Sequence, residues 1–176
     1  MFDRDKFKSL IHHVIWRTQD RDGWGLTKTF KALWFFEARR YALNHETFSG
    51  ARYIRDEFGP RPQGAYPLLS EMEAEERIRR YDEPYYSKTL KRAKALRPPP
   101  SDLLTEGQSR DLEYWIRYID GMTAGEISEE SHDYGWEIAV QGEELPLHAL
   151  MAHRARDPDE EELEWARAEA ARLGLP

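Results

Sequence analysis

The chain has 176 residues, a net charge of −7 and no cysteine; 40% of it is hydrophobic, with six Trp, nine Tyr and seven Phe. This length and aromatic content suffice for one domain with a real core, the missing cysteines exclude disulfides and thiolate metal sites, and the acidic balance argues against nucleic acid as the main partner. The charged opening MFDRDKFKSL lacks a leader's apolar run and no stretch approaches the roughly 20 apolar residues of a membrane span, so a cytoplasmic protein is expected.

In chain order, the spacing of Phe7, Leu10, Ile11, Val14 and Ile15 predicts an amphipathic helix over 3–17, stopped by the DRDG turn at 20–23. Thr27 is placed as the cap of a second helix running to about Asn44, whose ALWFF run marks it as central and buried. Residues 47–58 read as a short strand or compact loop, and GPRPQG (59–64) as a turn. Pro62 is placed in the first turn of a third helix ending near Glu75, with Pro67 either kinking that helix or delaying its start. Residues 77–97 read as two strands joined by a turn near DEP (82–84), and RPPP (97–100) then breaks regular structure. Thr105 with Gln108, and Thr123 with Glu126, are capping-box pairs. The first opens a helix with Leu112, Trp115, Ile116 and Ile119 on one face, and the second opens a short helix running into ISEESHDYGW (127–136). PLHALM (146–151) reads as a helical turn or two. In the tail, DPDE (157–160) caps a last helix with Leu163, Ala166, Ala170 and Leu173 along one face, stopped by Gly174. Residues 1–154 form one domain in this reading, and 155–176 a C-terminal helical extension.

The familiar catalytic signatures are missing, including G-x-G-x-x-G, the phosphate-binding loop, H-E-x-x-H and G-x-S-x-G. No two of the six histidines are spaced i, i+4. A His–Asp metal hydrolase would need His132 and Asp133 plus a distant ligand such as His12 or His13, whose spacing does not recommend them. The preferred reading of SHDYGW is structural: His132 and Asp133 bond free backbone groups at a helix end, Gly135 turns the chain, and Trp136 swings back into the core. The basic 77–97 region interleaves Tyr81, Tyr85 and Tyr86 with Arg79, Arg80, Lys88, Lys91 and Arg92. That pattern serves nucleic-acid binding or, the reading preferred here, a sheet edge guarded by charge where a partner could add a strand.

Three segments together resemble the Panacea domain, the SocA-like antitoxin family. Lys31, Leu33, Trp34, Phe35 and Ala38 fall on its first helical pattern, Gly50 and Tyr53 on the next, and Gly59, Pro60 and Pro62 on its G-P-x-P turn. Ser131, His132, Trp136, Gly142 and Pro146 fall on its closing pattern. The resemblance spans about 26–151, with Pro67 and Ile127 as departures and the tail outside it. It implies a predominantly helical α+β domain, a helical body with a short antiparallel hairpin or small sheet, to which the tail's own pattern adds a C-terminal helix. It implies an antitoxin that neutralises a cognate toxin protein by direct binding, with no cofactor and no catalysis; some relatives are implied to deliver the toxin to a cytoplasmic protease. The motif residues are then scaffold, and the partner surface is expected on Arg61, Arg79, Arg80, Tyr81, Tyr85 and Tyr86, with Tyr and Arg the side chains that dominate interfaces. A DNA-binding autoregulator using 77–97 is the alternative.

Overall fold

The computed structural model describes residues 1–149 and 160–173, and contains seven helices and two two-stranded antiparallel sheets over those residues. The predominantly helical α+β class expected from the sequence is the class observed. Helix α1 (Arg4–Thr18) starts at Asp3, whose carboxylate accepts from the Lys6 N–H at 3.0 Å. It is buried from Phe7 to Ile15, more completely than one apolar stripe predicts, because the 97–100 segment crosses it. His12 and His13 donate from Nε2 to the Arg97 and Pro100 carbonyls at 2.9 and 2.7 Å. A carbonyl can only accept, so each ring carries its proton on Nε2, and burial holds both below the ordinary histidine value.

Helix α2 (Leu26–Asn44) is the central helix, buried at nearly every position from Leu26 to Ala38. Its cap is Gly25, not Thr27, and no side chain bonds there. A Cβ on Gly25 would lie 2.5 Å from Leu90 Cδ1, so close packing against the ribbon decided this residue. Strands β1 (Tyr53–Ile54) and β2 (Arg61–Pro62) pair antiparallel, Tyr53 with Pro62. Pro62 therefore lies in a strand, and α3 (Ala65–Ala74) begins three residues later. Pro67 falls in its first turn, where no helical N–H bond is lost, so the start is delayed and the helix is not kinked. On the other side of β1 runs 142–145: Leu145 N–H donates to Tyr53 O at 2.7 Å, Arg55 N–H to Glu143 O at 2.8 Å, and Gly142 N–H to Arg55 O at 2.8 Å.

The ribbon, β3 (Ile78–Tyr85) and β4 (Lys88–Ala95), turns at Tyr86–Ser87, not at 82–84. The Arg80 and Ala95 N–H groups bond outward, to Glu73 and Gln19. Side-to-side alternation then points the position of Pro84 outward too, where a proline costs no ladder bond. Helices α4 (Glu106–Asp120) and α5 (Ala124–Glu130) carry both capping boxes read from the sequence. Leu112, Ile116 and Ile119 of α4 are fully buried, each contributing roughly 1.5–3 kcal/mol. A five-residue helix, α6 (Tyr134–Ile138), follows where the sequence suggested only a turn. In α7 (Glu160–Leu173), Leu163 is exposed, as is Trp165. Leu147 and His148 form a turn; the rest of the expected 146–151 helical turns, the DPDE cap and the Gly174 stop lie largely outside the described residues.

Candidate functional site

Six of the motif residues, Lys31, Gly59, Pro60, Ser131, His132 and Trp136, meet in one place. Lys31, 1% exposed on the inner side of α2, donates from Nζ to Pro60 O at 3.1 Å. Burial lowers its pKa from 10.5 to about 7, against the pull of Asp56. Gly59 sits between Lys31 and the α5–α6 connection at φ +86°, and a Cβ there would lie 2.6 Å from Lys31 Nζ, 3.2 Å from His132 Cδ2 and against Ser131 Oγ. Ser131 donates to Ser128 O at 2.6 Å, and Asp133 accepts from the Trp136 N–H at 2.9 Å, so Asp133 starts α6 as its cap.

Trp136 is held on both faces. The His132 ring stacks on it at 3.5 Å and 4°, and the Arg55 guanidinium lies 4.2 Å from its centroid. One face cannot accommodate both, so the indole is sandwiched. Its Nε1–H donates to Asp56 O at 3.2 Å. Trp136 is half-buried, not fully within the core as the sequence suggested, because α6 lies along the surface. Burial and then the neighbouring Lys31 lower the His132 pKa, which favours the neutral ring. Burial pushes Asp56 upward, but bonds from Arg61 and Gln141 outweigh it and hold the carboxyl below its usual value. Among the described residues, no three His, Asp or Glu side chains converge to hold a metal ion.

The remaining motif positions lie next door. Trp34 and Tyr53 are buried edge to face at 5.0 Å. Gly50, at φ +72°, passes beneath the N-terminus: a Cβ would lie 2.5 Å from Met1 O. The loop before it is fixed by buried Glu37, which accepts from Phe48 N–H, Ser49 N–H and Ser49 Oγ. Gly142, at φ +83°, turns the chain into the 142–145 segment, and Pro146 follows it.

The expected partner residues are largely held by internal contacts. Arg61 pairs with Asp56 and lies over Tyr66. Arg80 is bound to Glu73 and Ser70, Tyr81 lies beneath Arg92, and Tyr85 packs on Gly23, where a Cβ would lie 2.6 Å from its hydroxyl. Arg92 is buried between Glu83 and the Gln19 and Arg21 carbonyls. Arg79 and Tyr86 are exposed, Tyr86 at 93%. The β3 edge suits strand addition poorly: Glu73 covers the Arg80 N–H, and Pro84 has none. Sequence reasoning missed Arg55, Asp56 and Glu37. Only Glu37 carried a signal, as a carboxylate inside an otherwise apolar helical run.

The family model described as antitoxin SocA-like, Panacea domain matches residues 30–137, stopping short of Gly142 and Pro146. No curated protein and no solved structure matches the chain. The matched residues carry most of α2 through most of α6 and most of the Lys31–Gly59–His132 junction, and they make up more than half of the 176 residues: the chain belongs to the SocA-like antitoxin family of Panacea domains.

Proposed function

We propose that this protein is the antitoxin of a toxin–antitoxin pair and neutralises a cognate toxin protein by direct binding. The observation that carries this reading is how the family's polar residues are used. Lys31, Ser131 and Trp136 direct their bonding groups at neighbouring backbone, and His132 is packed against the Trp136 ring, which suits a scaffold that presents a surface. No catalysis or cofactor is assigned to it. Under this reading the protein acts in the cytoplasm, where its toxin is made, and among the described residues no helix is long and apolar enough to cross a membrane. Delivery of the bound toxin to a protease is an extension of the same binding event. The test is co-expression with the product of the neighbouring reading frame. Growth arrest by that product alone, relieved by this chain, supports the reading; arrest that persists with the chain folded and abundant refutes it.

A second reading is DNA binding by the ribbon. It is favoured by Arg79, Lys88, Lys91 and Lys94, all exposed and without an ion pair among the described residues. A steep loss of operator affinity with salt would support it, and a flat response would remove it.

A further inference from the structure

Four exposed apolar side chains border the motif junction. Phe58 (58% exposed) precedes Gly59; Tyr134 (48%) and Ile138 (60%) are one turn apart on α6; Val140 (69%) lies just beyond it. Single exposed apolar residues need no explanation, but four on interlocked segments do. The interlock is direct: Trp136 Nε1–H donates to Asp56 O at 3.2 Å and Gln141 Nε2–H to Asp56 Oδ1 at 3.1 Å. The two segments that carry these side chains are therefore fixed to each other before docking, which lowers its ordering cost.

We propose that this patch is the toxin-docking surface and that the toxin face it takes is basic around an apolar centre. The inference rests on the antitoxin reading above. Its chemical class comes from the charges on the same segments. Glu57, Glu129, Glu137 and Glu143 are exposed. Two of the arginines are held inward, Arg55 on Trp136 and the Ala139 carbonyl and Arg61 on Asp56, and the third, Arg52, forms a surface pair with Glu144. An apolar centre with an anionic rim is complementary to a partner with an apolar centre and a cationic rim, and such a rim speeds association in a salt-dependent way. The ribbon carries the opposite sign at Arg79, Lys88, Lys91 and Lys94 and would repel the same partner.

The test is calorimetric titration of the full chain with the toxin from the neighbouring reading frame, at low and high salt. Three double variants are compared, each checked by circular dichroism: Phe58→Ser with Val140→Ser, Glu57→Lys with Glu137→Lys, and Arg79→Ser with Tyr86→Ser. The apolar pair should lose about thirty-fold or more in affinity, the size of one strong interface anchor. The charge pair should bind more weakly and lose the salt dependence, and the ribbon pair should bind as the unmodified chain does. If the apolar pair does not fold, the charge pair decides. Full affinity in the apolar and charge pairs, with loss in the ribbon pair, overturns the patch and leaves the antitoxin reading intact. Failure of the unmodified chain to bind the toxin overturns both.

Discussion

Gly59→Ala tests whether the motif junction is a stressed packing point or an ordinary loop. Gly59 and Gly64 both have positive φ, +86° and +68°, but a Cβ meets Lys31, Ser131 and His132 at the first and nothing within 4 Å at the second. Gly64→Ala should therefore show only left-handed backbone strain, about 1–2 kcal/mol. Gly59→Ala adds the displacement of Lys31 Nζ from Pro60 O. Leaving that buried donor without its acceptor costs roughly 1–3 kcal/mol more, for a total of about 2–5 kcal/mol. Urea unfolding followed by far-UV circular dichroism reads both as midpoint shifts at constant slope. Shortening the neighbour should relieve the clash, so Gly59→Ala combined with Lys31→Ala should be milder than the sum of the single changes by about 1 kcal/mol or more. A Gly59→Ala cost no greater than that of Gly64→Ala, or strict additivity with Lys31→Ala, would refute the packing argument.

The tryptophans should separate: Trp34→Ala should cost about 3–5 kcal/mol as a fully buried truncation, and half-buried Trp136→Ala clearly less, both by urea unfolding. Lys31 titrates at 10.5 when unfolded and about 7 when folded, so between those values the unfolded chain holds a proton that the folded chain has released. Stability should therefore rise with pH from about 7 to 10.5, with no contribution to the slope below 7 or above 10.5. Lys31→Met should flatten that slope in guanidinium titrations at stepped pH, and an unchanged slope would deny the burial of the ammonium. Glu37→Ala leaves two buried backbone N–H groups and the Ser49 hydroxyl without their acceptor and should cost about 3 kcal/mol or more, with Glu37→Gln recovering part of the loss in thermal melts.

What was legible in the sequence was local. The Thr105 and Thr123 capping boxes, the α1 and α4 stripes and the existence of a ribbon follow from neighbours within a few residues, and all are present. What was misplaced depends on distant partners. Helix α2 starts at Gly25 because Leu90 packs there, and the ribbon runs through Pro84 because that position points away from the ladder. The candidate site divides the same way. The resemblance picked out Lys31, Gly59, His132 and Trp136, but no spacing reveals that Gly59 fits between a buried lysine and a stacked imidazole. Composition likewise cannot tell an arginine free to meet a partner, such as Arg79, from one bound inward, such as Arg80 or Arg92.

The bonds joining 142–145 to Tyr53–Arg55 bear on the order in which the protein is made. A strand from the first third of the chain receives its second neighbour from a segment synthesised some ninety residues later, as the separation of Tyr53 and Leu145 shows. Until Leu145 has left the ribosome, the outer edge of β1 has no partner on that side. In the nascent chain one flank of the small sheet therefore stays open, and it closes only when translation has passed the last of the motif glycines.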